Sequence, residues 1–128
     1  MPQVGPLKLK AQLLCGGELA MGPGKADLLE AIQQEGSISG AGRRLGMSYR
    51  RTWLLVDVMN RCWRLPLVEA TAGGGQQKGA RLTACGREVL EAYRTLENQM
   101  AEAADSDALK VLTDRMLDHP RASQHEGG

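Results

Sequence analysis

The chain of 128 residues is long enough for one domain with a modest core and too short for two. Its formal net charge of +1 excludes no class of partner, but the charges are unevenly distributed. Residues 37–64 contain six arginines and one aspartate, whereas residues 88–128 contain nine acidic and four basic side chains. A basic middle segment followed by an acidic end is typical of a protein with one nucleic-acid-binding face.

Cysteine and histidine placement argues against metal or redox chemistry. The three cysteines, at positions 15, 62 and 85, are odd in number and widely spaced, so we predict neither a disulfide framework nor a zinc site. Both histidines lie in the tail, at 119 and 125. We therefore expect no metal and no cofactor. The sequence shows no secretion signal and no run of transmembrane length, so we expect a cytoplasmic protein without a membrane partner.

The N-terminal segment 6–21 is predicted to form a β-hairpin. Leu7, Leu9 and Ala11 alternate with lysines, which indicates a half-buried strand. Gly16 and Gly17 then favour a turn that returns the chain into 18–21 as the partner strand. A helix is expected from Pro23 to the residue before Gly36.

Residues 37–64 carry two helical patterns joined by a glycine turn, which predicts a helix-turn-helix. Ser37 and Ser48 are suitable N-caps for the two helices, Gly46 ends the first, and the second runs to about Arg64. The second helix of such a motif enters the DNA major groove, where arginine suits bidentate guanine contacts. The candidate DNA contacts are Ser37, Arg43, Arg44, Ser48, Tyr49, Arg50, Arg51 and Thr52. We assign Arg43 and Arg44 to phosphates, and we expect Trp53 and Trp63 to pack in the core.

Residues 67–82 have the pattern of a winged-helix wing, with two short strands around a glycine-rich loop at 72–79. Gln76, Gln77 and Lys78 at its tip are predicted to touch the DNA backbone or the minor groove. A surface hairpin without DNA contacts is an equally compatible interpretation.

A long helix is predicted over 84–104, with a heptad-like apolar seam that indicates a homodimer. The seam residues are Val89, Tyr93, Leu96, Met100 and Ala103. Alternatively, a short helix at 107–117 folds back and covers the seam. The polar tail 119–128 is expected to be disordered. Residues 1–118 thus form one domain in this interpretation, mainly α with small β hairpins: a winged helix-turn-helix with a long C-terminal dimerisation helix.

Two strings in the chain resemble a known family. They are GSISGAGRRLGMSYRRTWLLVDVMN, from Gly36 to Asn60, and PLVEATAGGGQQKGARLTACGREVLEAYRTLE, from Pro66 to Glu97. Both resemble the N-terminal domain of the molybdate-responsive ModE regulators and its small stand-alone relatives, and more distantly the LysR-type DNA-binding domain. The resemblance implies a dimeric winged helix-turn-helix that binds an operator-like site in double-stranded DNA.

The resemblance also bears on molybdate. In the full-length regulators the oxyanion is bound by C-terminal β-barrel domains that carry an S-A-R-N-Q segment. The tail of this chain reads RASQ at 121–124 without a strand pattern around it. We therefore do not expect molybdate to bind this chain.

The sequence favours a sequence-specific DNA-binding transcription regulator. The alternative is a winged-helix protein-interaction module, which has no need of four arginines at 43, 44, 50 and 51. An enzyme is not expected, because the first 118 residues contain no histidine, no paired carboxylates and no phosphate-binding loop.

Overall fold

Residues 2–71 and 79–123, the part of the chain that the computed structural model describes, form five helices and three two-stranded antiparallel sheets. The helices are α1 (Pro23–Glu35), α2 (Ile38–Arg44), α3 (Tyr49–Cys62), α4 (Ala84–Ala104) and α5 (Asp107–Arg115). The strands are β1 (Gln3–Val4), β2 (Leu7–Lys8), β3 (Leu13–Cys15), β4 (Glu18–Met21), β5 (Val68–Thr71) and β6 (Gly79–Leu82). This mainly α architecture with small hairpins confirms the predicted fold class.

The N-terminal segment contains two hairpins rather than the single one predicted for 6–21. β4 pairs with β3, and Cys15 lies opposite Glu18 across the turn at Gly16. β2 pairs instead with β1, so only the end of the predicted strand segment 6–14 pairs with β4, and the prediction is wrong for its beginning. The reason is geometric: a tight turn pairs the residues directly beside it. Leu7 is too far from that turn along the chain and uses its own turn at Gly5.

The core lies where α1 packs against α2, α4 and the strand β6. Leu28, Leu29 and Ile32 on one face of α1 are fully buried, as the helical spacing predicts. They meet Met59 of α3 and Leu82 of β6 in one apolar cluster. This cluster fixes α3 on the body of the domain by one side only and leaves the opposite side free.

Arg94 ties α4 to α1. Its guanidinium donates to Asp27 Oδ1 at 2.8 Å, to Glu30 Oε1 at 2.7 Å and to Glu97 Oε1 at 2.8 Å. Burial lowers the pKa of Arg94, but its hydrogen bonds to Glu30, Glu97 and Asp27 outweigh the burial, and the pKa lies above its ordinary value. Glu97 is almost fully buried, so this guanidinium neutralises a carboxylate inside the domain.

The helix α5 packs little against the rest of the domain. α5 contains no buried residue, and both Leu112 on it and Met116 directly after it are exposed. The alternative in which this helix folds back over the seam of α4 is therefore wrong for these two side chains. Residues 119–123 carry no helix or strand, and the remainder of the predicted tail, 124–128, lies outside the described residues.

Candidate nucleic-acid interface

The helix α3 has one inward and one outward side. Thr52, Val56 and Met59 are buried against the body of the domain. Positions 50, 54, 57 and 61 follow one another at helical spacing on the opposite side, and all of them are exposed. The outward side of α3 is therefore a continuous surface of about three turns, and it begins with arginine.

A close approach between α2 and α3 sets the angle of the motif. A Cβ atom on Gly42 would overlap Thr52 Oγ1 and lie 3.2 Å from Thr52 Cβ, so only glycine permits this packing. Thr52 Oγ1 donates to the carbonyl of Ser48 at 2.7 Å. The prediction that Thr52 contacts DNA is therefore wrong, because the side chain is fully buried between the two helices.

Two serines begin the helices of the motif. Ser37 Oγ accepts a hydrogen bond from Gly40 N at 3.0 Å, and Ser48 Oγ accepts one from Arg51 N at 3.1 Å. Both are the N-caps that the sequence predicts. Each hydroxyl keeps its own hydrogen for donation to an acceptor outside the helix. Capping and an outside contact are thus compatible at both serines.

The arginines of the motif fall into two groups. Arg44 pairs with Glu35 at 3.3 Å, and Arg61 pairs with Asp57 at 3.0 Å. Within the described residues, the exposed arginines of the motif without a carboxylate partner are Arg43, Arg50, Arg51 and Arg64. Three of these four lie at the end of α2 and in the first turn of α3.

A groove of about 730 Å³ runs between the motif and the hairpin of β5 and β6. Tyr49 and Trp53 line it from the side of α3, with ring centroids 6.1 Å apart and ring planes at 69°. Trp53 is 43% exposed, so the prediction that it packs in the core is wrong. Four residues separate it from Tyr49, and this spacing turns both rings toward the groove. Trp63 is half-buried against the core, and its Nε1 donates to the carbonyl of Ala20 at 3.2 Å.

One side chain links α3 to the hairpin. Asn60 Oδ1 accepts from Leu67 N at 2.9 Å and from Val68 N at 3.1 Å, and Asn60 Nδ2 donates to the carbonyl of Val68 at 3.1 Å. β5 and β6 pair from Val68 opposite Leu82 to Thr71 opposite Gly79. The hairpin is thereby held beside α3 at the place of a wing. The predicted tip contacts Gln76, Gln77 and Lys78 lie outside the described residues.

Curated relatives match most of this chain. The molybdenum transport protein ModE of Azotobacter vinelandii is 42% identical over 88 residues, 67% of this chain and 33% of that protein. The molybdenum-pterin-binding protein MopA of Rhodobacter capsulatus is 36% identical over 98 residues, 77% of this chain and 37% of that protein. The DNA-binding transcriptional dual regulator ModE of Escherichia coli K12 is 33% identical over 93 residues, 70% of this chain and 36% of that protein.

This chain contains a ModE-type domain. The predicted resemblance is thus confirmed, and the chain spans about a third of the length of the curated relatives it matches. No family model matches the chain. Among solved structures, a MarR family protein from Bacillus stearothermophilus superposes with a TM-score of 0.53 at 21% identity, covering 74% of this chain and 69% of that chain. This likeness shows that the ModE-type domain has a winged-helix fold.

The predicted seam on α4 of the ModE-type domain is split by the structure. Tyr93 is buried in its own chain and its hydroxyl donates to the carbonyl of Ala11 at 2.7 Å, so its assignment to a dimer contact is wrong. Val89 is half-buried against the same core. Leu96 and Ala103 are exposed and Met100 is half-buried, so these three remain at or near the surface.

The sequence interpretation missed three residues of the candidate interface, namely Trp53, Leu54 and Asn60. A signal for the first two was present, since positions 53 and 54 follow Tyr49 and Arg50 by one helical turn. Asn60 gives no such signal, because its partners are backbone groups of a strand that begins eight residues later. Within 2–71 and 79–123, no group of side chains could hold a metal ion, and no helix is long and apolar enough to cross a membrane.

Proposed function

We propose that the ModE-type domain is the DNA-binding part of a sequence-specific transcription regulator and places α3 in the major groove of duplex DNA. The names of its relatives support this assignment, since one of them is called a DNA-binding transcriptional dual regulator and others transcriptional regulators. The fold supports it as well, because a helix with one free side is the usual major-groove reader of this architecture.

The observation that carries the proposal is the pair of exposed arginines in the first turn of α3. Arg50 and Arg51 have no carboxylate partner within the described residues, unlike Arg44 and Arg61. Arginines without a carboxylate partner remain available to bind phosphate oxygens and guanine. In this proposal Arg50 and Arg51 read base edges, and Arg43 binds a phosphate.

The other predicted contacts take their places around these arginines. Ser37, Ser48 and Tyr49 present hydroxyls near the start of each helix, where they donate to phosphate oxygens. The hairpin held by Asn60 lies beside them, and its tip, with Gln76, Gln77 and Lys78, is assigned to the DNA backbone or the minor groove.

The domain acts as a homodimer in this proposal. Its contact surface is smaller on α4 than the sequence predicts, and consists of Leu96, Met100 and Ala103. It gains a neighbouring apolar groove of about 300 Å³ between β3 and α4, lined by Leu13 and Trp63 among others. Apolar surface of this kind is seldom left open on a monomer. Pairing about a two-fold axis would cover it and would set two α3 helices for half-sites spaced about 34 Å or a multiple of it.

DNA binding is tested with duplexes selected by the wild-type protein from a random pool. We expect Arg50→Ala and Arg51→Ala each to weaken binding to the selected duplex by about 1–3 kcal/mol where the residue reads a base. Arg43→Ala should weaken all duplexes alike and make the salt dependence less steep by about one counterion. Arg115→Ala, an exposed arginine on α5, is the matched control. Wild-type affinity of the double variant at 50 and 51 would refute the assignment of α3.

The dimer is tested by light scattering at tens of micromolar, roughly the range in which weak interfaces dissociate. We expect a dimeric wild type, a folded monomer for Leu96→Glu, and a dimer for the neighbouring exposed substitution Thr95→Glu. A wild type that is monomeric at this concentration would refute the dimer without affecting the assignment of α3.

A further inference from the structure

The first two turns of α3 expose three large apolar side chains. Tyr49 is 63% exposed, Trp53 is 43% exposed and Leu54 is 54% exposed. Exposed apolar residues are common when scattered singly, but a cluster on one helix marks a binding surface. These three residues, here called the apolar reading surface, are not needed by the core, which α3 meets through Thr52, Val56 and Met59.

The apolar reading surface contains one aromatic contact and lies near two arginines. Tyr49 and Trp53 meet edge to face, and this contact holds the indole in one position. Leu54 follows Arg50 by one turn on the outward side of α3. Arg43 lines the same groove as the two rings. Arg50 on the same helix and Arg43 in the same groove are thus the nearby cations, and neither has a carboxylate partner within the described residues.

This combination identifies the chemistry of the occupant. The exposed arginines favour a polyanion, and the exposed apolar side chains favour an apolar group at the depth that a helix reaches. In the DNA major groove, thymine is the base that presents a methyl group, at C5, beside phosphates that arginine can bind. An apolar protein partner would satisfy the rings and the leucine but would leave the cations unpaired.

We propose that the apolar reading surface selects thymine by contact with its C5-methyl group. The proposal rests on the placement of α3 in the major groove. Trp53 and Leu54 are the specificity-determining residues, and Tyr49 positions the indole of Trp53. In this proposal arginine contacts guanine, and Trp53 and Leu54 contact thymine. The preferred half-site therefore contains both bases within reach of the first two turns of α3.

The test replaces each thymine of the selected duplex, one at a time, by deoxyuridine, which removes only the C5-methyl group. We expect wild-type binding to weaken about fourfold at one or two positions, the effect of losing one buried methyl group. Trp53→Ala or Leu54→Ala should weaken binding to the thymine duplex and abolish its advantage over the deoxyuridine duplex. Trp53→Phe should retain most of that advantage.

Arg50→Ala is the matched control on the same helix, because it should weaken both duplexes and leave their ratio unchanged. This double comparison isolates the coupling between side chain and methyl group. If the wild type binds tightly and no deoxyuridine substitution weakens its binding, thymine selection is overturned and the proposed DNA binding is not. This outcome does not depend on whether the variants fold. Unchanged duplex binding by Trp53→Ala and Leu54→Ala would overturn it too, because the apolar reading surface would then contribute nothing to DNA binding. Failure of the wild type to bind any duplex would overturn the proposed function and this inference together.

Discussion

The helices α3 and α4 each carry an aromatic residue in an apolar sequence pattern, but one of these residues is exposed and the other is buried. Trp53 on α3 was expected in the core and lies on an open groove. Tyr93 on α4 was expected to face a second subunit and is 2% exposed in its own chain. Spacing groups residues on one side of a helix, but the neighbouring elements decide which side is covered.

The neighbours of the two helices explain the difference. The side of α4 that carries Tyr93 is covered by the segment that contains Ala11, whose carbonyl accepts the phenol hydrogen. That segment lies 82 residues earlier in the chain. On α3 the covered side is selected by Gly42, whose missing side chain admits Thr52. Trp53, the next residue along, consequently lies outside this close contact and lines the groove instead.

The largest difference should appear when each aromatic residue is truncated. We expect Tyr93→Ala to lower the free energy of unfolding by about 3–5 kcal/mol, because it empties a buried site and leaves the Ala11 carbonyl unpaired. Trp53→Ala should cost less than about 1 kcal/mol, as for a surface side chain. Urea denaturation of both variants measures the contrast. Equal losses would contradict the assignment of the two rings to opposite environments.

The inward side of α4 should also depend on Arg94. Replacement by methionine leaves the buried Glu97 without its cation, and we expect a loss of about 3 kcal/mol near neutral pH. Arg115→Met on the exposed α5 is the matched control and should change stability by less than about 0.5 kcal/mol. A loss as small as that of the control would contradict the role of Arg94 in neutralising Glu97.

Alkaline pH offers a finer comparison of the two tyrosines. Burial raises the pKa of Tyr93, and Glu97 nearby raises it further. Its stabilising contribution is fully present below about pH 10, where the unfolded chain begins to ionise, and is lost as the pH rises through the folded pKa. Tyr93→Phe should therefore reduce the alkaline loss of stability, whereas the exposed Tyr49→Phe should not. Thermal melts between about pH 9 and 11 measure both.

The smallest expected effect concerns molybdate. The groove beside α3 presents one cation, Arg43, together with the carboxylates of Glu35 and Glu69. The two carboxylates repel a tetrahedral dianion, and a single cation does not offset them. We therefore predict no saturable heat when molybdate or tungstate is titrated into this polypeptide at micromolar concentration. A stoichiometric isotherm would contradict the prediction.

Local chemistry was predictable from the sequence, whereas long-range packing was not. Ser48 begins α3 because its hydroxyl accepts a hydrogen bond from a backbone N–H three residues later. This interaction is local in the sequence and can therefore be predicted from it. The partner of β4 was not predictable in this way, because the alternation around Leu7 and the run at Leu13 both fit a strand. The burial of Thr52 depends on a glycine ten residues earlier, and only the packed helices show it.

The three hydrogen bonds of Asn60 fix the spacing between α3 and the wing hairpin. Because one short carboxamide makes all three bonds, a change in the spacing between α3 and the start of β5 would strain or break them. A bound duplex must therefore have a distance between its major groove and its flanking backbone that matches the spacing between α3 and the hairpin. In A-form geometry the major groove is deep and narrow. We expect an RNA–DNA hybrid of the selected sequence to compete poorly with the all-DNA duplex, so that the polymer is recognised by its dimensions before any base is read.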